Sequence, residues 1–237
     1  MEAAVLGFTA KWKANPPREV AAYGEHQITL HGSYVDLAFR SGAASVLLLP
    51  RGDPEALLNM VDLLVLTGGG DPDPSIYGDK PVAPPGTERE RPLWDIRLYR
   101  AARKGGKPVL GICLGMQLMA VAEGCGLIGD IATELPGALD HHGKPESPQR
   151  HPVSVKPGSV MAGIIGTESE VSSFHHQAIR SVPPGYSACA WSPDGLVEAI
   201  ESEDGMALGV QWHPERDRTG VPLLEHMLGV AGKGRVS

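Results

Sequence analysis

Cysteine is scarce in this chain of 237 residues, with Cys113, Cys125 and Cys189 the only three. An odd count at these spacings supports neither a disulfide framework nor a CxxC metal site. Long apolar runs are missing too, and nothing approaches the roughly 20 consecutive apolar residues of a transmembrane helix. The opening MEAAVLGFTAKWK lacks the basic segment and apolar core of a secretory signal. No basic run occurs. With 21 Lys and Arg against 28 Asp and Glu, the formal charge of −7 argues against a nucleic-acid or anionic-membrane surface. No spacing of His, Cys and Asp matches a zinc or calcium motif, and no repeat period is present. The expectation is a reduced, cytoplasmic protein with no metal and no organic cofactor.

What is present is a globular composition, 42% hydrophobic, with 30 glycines and 21 prolines that imply many shaped turns. In the first half, strand-length apolar runs at 3–8, 45–50, 62–67 and 108–112 alternate with helical segments at 33–42, 53–60, 92–105 and 114–124. Asp53 is the expected N-cap of the second helix, with Pro54 at its first position. Short, nearly all-apolar strands are those buried on both faces of a parallel sheet, and strand–helix alternation implies a doubly wound α/β layer. The second half reads as β-rich, with strands at 151–155, 170–174, 186–191, 196–200 and 206–212 and a closing helix at 219–231. No linker divides the halves, so residues 1–237 are expected to form one domain. The Pro-rich stretch 71–91 and the polar stretch 136–150 are read as loops.

Chemistry concentrates at PVLGICLGMQ (108–117). Cys113 falls between a strand and a helix, with glycines at 111 and 115 that permit a sharp strand–turn–helix. There the helix N-terminus favours a thiolate, and the Leu114 N–H can donate to an oxyanion. A buried packing cysteine is the alternative, and it is the reading for Cys125 and Cys189. A cysteine nucleophile needs a base and a group to orient it. GVQWHPE (209–215) continues a predicted strand, so strand alternation would put His213 and Glu215 on one side. LTGGGDPDP (66–74) follows an apolar strand and offers a second oxyanion donor, Gly69, with Gly68 and Gly70 beside it. His141 and His142 fall in a polar stretch and are expected to be solvated.

Taken together, GICLGMQ, TGGGDPDPSIYGD and GVQWHPE resemble the class I glutamine amidotransferase superfamily. SSFHHQAI (172–179) and PDGLVEAIE (193–201) bring the chain closer to the gamma-glutamyl-gamma-aminobutyrate hydrolase, peptidase C26-like, branch. The resemblance implies a flavodoxin-like α/β fold and hydrolysis of gamma-glutamyl amides through a thioester. It casts Cys113 as nucleophile, His213 as base then acid, Glu215 as orienter, and Gly69 and Leu114 as oxyanion donors. It places Gly70, Gln117 and the Phe174–His175–His176 segment against the substrate. Two features depart from the branch: Leu114 stands where Arg usually follows the nucleophile, and Arg91-Pro92 stands where an Arg-Asp pair is usual. Three readings follow: a stand-alone hydrolase of a small gamma-glutamyl substrate, a glutaminase subunit serving a synthase partner, and a non-catalytic redox sensor or binding protein. A homo-oligomer fits any of them.

Overall fold

The computed structural model of the protein describes residues 3–14, 26–78, 87–143 and 149–233. Apolar strands that cannot satisfy their backbone alone pair into one nine-stranded sheet. Its parallel block contains β1 (Val5–Thr9), β4 (Ala44–Leu48), β5 (Leu63–Leu66), β6 (Val109–Ile112) and β13 (Ala207–Val210). Their spatial order is β4-β1-β5-β6-β13, which in chain order is the 2-1-3-4-5 of flavodoxin-like sheets. β12 (Val197–Ser202), β11 (Tyr186–Trp191), β8 (Gln149–Val155) and β9 (Glu168–Ser173) continue the sheet as an antiparallel block. The blocks meet in β13, parallel to β6 on one side and antiparallel to β12 on the other. The doubly wound α/β architecture expected from the sequence is therefore present, with the β-rich half added in the same sheet.

Helices cover both faces. α1 (Gly32–Arg40), α6 (Val160–Ile165) and α7 (Gly220–Lys233) bury Leu37, Met161, Leu223 and Leu224 against one face. α2 (Pro54–Leu58), α3 (Glu90–Lys104) and α4 (Leu114–Ala122) bury Leu58, Leu98 and Met119 against the other. Asp53 caps α2 as expected, accepting from Glu55 N–H at 3.1 Å. Several elements escaped the sequence reading: the hairpin of β2 (Lys11–Ala14) with β3 (His26–Thr29), the small pair β7 (Leu127–Ile128) with β10 (Ala178–Ile179), α5 (Ile131–Glu134) and α6. All are short, and short segments carry little periodicity. The stretch 71–91 is not all loop. It holds a 3₁₀ turn at Pro74–Ile76 and a bridge from Pro72 to Glu88, and α3 begins at Glu90. Residues 79–86 and 144–148 of the two expected loops lie outside the described residues. No helix among the described residues is long and apolar enough to cross a membrane.

Candidate active site

The carboxyl ends of β5, β6 and β13 open onto one cavity of about 480 Å³. Open α/β sheets bind ligands at that rim. Cys113 follows β6 with φ 51° and ψ −106°, and among the described residues it is the one non-glycine residue with positive φ. The strain is held by packing and by hydrogen bonds on both sides: Cys113 N–H donates to Val210 O at 2.8 Å, and its carbonyl accepts from Gln117 N–H at 3.1 Å. The turn leaves Sγ at the start of α4. Gln211 Nε2 donates to that sulfur at 3.6 Å.

His213 and Glu215 line the same cavity. The expected strand does not carry them. β13 ends at Val210, and Pro214–Arg216 form a 3₁₀ turn that folds Glu215 back onto the ring. Pro214 has no N–H to continue a ladder, and its fixed φ suits the first position of a helical turn. Nδ1 of His213 lies 2.7 Å from Glu215 Oε1, while Nε2 is buried with no hydrogen-bond partner. Burial pulls the imidazole pKa down, but the negative charges of Glu215 and Cys113 outweigh it and push it up to about 10.

Backbone donors complete the centre. Leu114 is the first residue of α4, so its N–H has no intrahelical acceptor. At Gly69 a Cβ would meet Leu114 Cδ2 at 2.7 Å and collide with the Arg91 guanidinium, so any larger residue must displace both side chains. Arg91, 1% exposed, donates to Thr67 O at 2.9 Å and to Gly68 O at 3.0 Å. In a trans peptide the carbonyl and the following N–H point opposite ways. By holding Gly68 O, Arg91 turns the Gly69 N–H to the other side. Asp95 Oδ2 lies 3.3 Å from Arg91 Nε, and burial pushes that carboxyl up to about 6 against the opposing pull of Arg91. Arg91 was noted in the sequence only as a departure. Its contacts with Thr67 and Gly68 need the fold to be seen.

Gly70, Gln117, Phe174, His175 and His176 also line the cavity. Gln117 Nε2 donates to Gln177 O at 3.1 Å and to Gln211 Oε1 at 3.2 Å. His176 is half-buried and lies 2.9 Å from Asp71 and 3.3 Å from Asp130, and the Asp71 contact raises its pKa. The His175 ring turns elsewhere, toward Gln177 O at 3.0 Å and Glu198 at 3.5 Å. His142 is exposed and stacks on Phe174 with centroids 4.5 Å apart. His141 corrects the sequence reading: it is 2% exposed and sits beside His151, His175 and Glu198. Local polarity concealed this, because its partners come from distant strands. Gln211 had no local signal either.

The peptidase C26 family model matches residues 4–215. The glutamine amidotransferase-like protein YvdE of Lactococcus lactis is 38% identical over 190 residues, 77% of this chain and 79% of its own. Gamma-glutamyl-gamma-aminobutyrate hydrolase PuuD of Escherichia coli K12 is 34% identical over 205 residues, covering 79% and 78%. The glutaminase domain of Trypanosoma brucei CTPS, solved with bound acivicin, superposes with a TM-score of 0.62 over 98% of this chain and 94% of that one. At 15% identity that likeness speaks for the fold alone.

Proposed function

This chain belongs to the peptidase C26 family, a group of hydrolases and glutamine amidotransferase-like enzymes, and from its site we propose that it hydrolyses gamma-glutamyl amide bonds to glutamate and an amine, with Cys113, His213 and Glu215 as its catalytic triad. The observation that carries this reading is the buried imidazole of His213, held by Glu215 at 2.7 Å and raised to about 10 in the cavity that Cys113 shares. Such an imidazole stays protonated beside a thiolate at neutral pH.

The Cys113 thiolate attacks the gamma-carbonyl carbon, and the oxygen takes up negative charge. The N–H groups of Leu114 and Gly69 receive it, each worth about 3 kcal/mol of barrier. As the C–N bond breaks, imidazolium His213 gives its proton to the departing amine, leaving a thioester. The thiolate charge is then gone, and with it one of the causes of the raised pKa of His213. The same ring can now stay neutral, take a proton from water and direct hydroxide at the thioester. Loss of a neighbouring charge converts the acid into the base. Glu215 keeps Nδ1 protonated throughout.

At the glutamyl end, the Gln117 amide nitrogen is already engaged, so its carbonyl oxygen is what it offers a substrate ammonium. In 174–176 the His175 N–H already donates to His141 O, which leaves the N–H groups of Phe174 and His176 for the alpha-carboxylate. Stand-alone activity is favoured because Arg91 already orients the oxyanion backbone. The glutaminase reading, with a synthase partner, draws on Leu114 in the place of Arg and on the glutamine amidotransferase-like relative.

The test offers the purified chain glutamine and a panel of gamma-glutamyl amines, with Cys113→Ala as control. Amine release without any partner is expected, cut at least about 10⁴-fold in the variant. Turnover equal in both proteins would reject the triad. Release from glutamine alone, and only on adding a synthase, would favour the glutaminase.

A further inference from the structure

Beside the active-site cavity, which His175 also borders, four buried side chains converge from four separate segments. His141 Nδ1, His151 Nε2 and His175 Nε2 lie 3.5, 3.6 and 3.5 Å from Glu198 Oε1. Their ligand atoms all fall within 4.8 Å of one another. None of the three nitrogens, and neither Glu198 oxygen, has a hydrogen-bond partner. Buried polar atoms are seldom left so, and five in one cluster call for an occupant.

The outward nitrogens identify it. His151 Nδ1 lies 3.0 Å from Pro152 O, and His175 Nδ1 lies 3.0 Å from Gln177 O. A carbonyl only accepts, so both Nδ1 atoms carry the proton, and in the neutral ring both Nε2 atoms turn lone pairs inward. His141 Nε2 lies 2.9 Å from Asp194 Oδ2, which leaves its Nδ1 lone pair inward as well. Three lone pairs and a carboxylate then face one another with no positive charge between them. A shared proton would draw partners to about 2.7–3.2 Å, closer than the observed separations. Four ligands around zinc at about 2.0–2.1 Å lie about 3.3–3.4 Å apart, near the 3.5–3.6 Å that separates each nitrogen from Glu198 Oε1. A second ring nitrogen fixed by a carbonyl or carboxylate is also how metal-bound histidines are oriented.

We propose that His141, His151, His175 and Glu198 form a closed tetrahedral site for zinc(II) or a similar divalent transition metal. Three neutral imidazoles and Glu198 leave one positive charge on the centre, and Asp194 behind His141 balances it. With four protein ligands, all buried, no position is open to water, so the ion is structural. It ties the 139–143 loop, β8, the segment after β9 and β12 together. Two of its ligands adjoin the cavity: His141 precedes the lining residue His142, and His175, itself in the lining, sits between Phe174 and His176. The ion therefore positions the loops that face the substrate, whatever that substrate is. Spacing along the chain gave no hint, because each segment supplies one ligand.

Untagged full-length protein should retain about one equivalent of zinc after desalting. Stripping with a chelator and titrating Zn²⁺ back should raise Tm by roughly 5–10 °C at about a hundredfold excess over Kd. Co²⁺ in its place should give the intense visible absorption of a tetrahedral site. Glu198→Gln and His151→Ala should lose the bound metal, while His142→Ala and Cys113→Ala keep it. The wild-type Co²⁺ spectrum stands even if a ligand variant fails to fold. Less than roughly 0.1 equivalent after incubation with Zn²⁺, together with an unchanged Tm, overturns the site. Metal lost in Cys113→Ala also overturns it, by placing the ion at the active-site thiolate.

Discussion

In the proposed reaction His213 is the residue on which the chemistry turns, and its protonation is measurable. Folding raises its pKa from 6.5 to about 10, so the imidazolium's contribution to stability is full below 6.5 and is lost as pH rises through about 10. Acylation by an imidazolium acid should follow the same limit, with kcat/KM falling on the alkaline side near pH 10. Imidazole NMR should find the ring still protonated at pH 8 in the wild type. Cys113→Ala and Glu215→Gln each remove one negative charge, so each should lower the pKa. A wild-type ring that titrates near 6.5 would rule out the ion pair. Arg91 offers a second residue-level test. Arg91→Lys cannot reach both Thr67 O and Gly68 O, so the Gly69 N–H loses its support. The oxyanion exists only in the transition state, so kcat should drop about 10-fold or more with KM little changed. A rise in KM alone would assign Arg91 to substrate binding instead.

Among the elements, α4 is the one that holds the site in register. Gly115 lies on its first turn, where a Cβ would drive into the backbone carbonyl of Leu66 at the end of β5. Gly115→Ala must push α4 away from the sheet, moving Cys113 off Gly69. A cost of about 2–3 kcal/mol, or roughly 5–10 °C in Tm, is expected, with activity lost even where the protein folds. Gly163→Ala in α6 is the control. A Cβ there meets nothing within 4 Å, so that change should be neutral or stabilising by up to about 1 kcal/mol. Equal Tm losses in the two variants would refute the close approach. This contrast marks what sequence can reveal. Cys113 and Gly115 announce themselves because a strand–turn–helix imposes its demands on neighbours in the chain, and Gly69 because a glycine run follows an apolar strand directly. The pairing of His213 with Glu215 was legible in outcome but not in cause, since a proline-started turn brings them together rather than strand alternation. Arg91, Gln211 and His141 were not legible. Their partners lie far along the chain, as with His141 and Asp194 at a separation of 53 residues, and no local pattern encodes such a contact.

At the scale of the whole molecule, the candidate site exists only because the two blocks of the sheet are one structure. The parallel block supplies Gly69 and Cys113, and the chain leaving β13 supplies His213 and Glu215. That exit is fixed by the antiparallel block, because Gln211 N–H donates to Glu198 O at 2.7 Å and His213 N–H to Ser172 O at 2.8 Å. β6 and β13 are paired from Ala207–Val109 to Val210–Ile112 and lie buried in the middle of the sheet. Neither block can open along that seam without exposing both strands. The described residues are therefore expected to unfold as one unit rather than as an N-terminal and a C-terminal domain. In hydrogen exchange, the amides of Leu110 in β6 and Leu208 in β13 should be among the slowest, sharing one opening free energy with the Ala199–Ile200 stretch of β12. Calorimetry should give a single transition whose calorimetric and van't Hoff enthalpies agree. Two resolved transitions, or β12 exchanging several kcal/mol more easily than β6, would mean that the blocks fold apart. The imidazole would then reach the sulfur only after their docking.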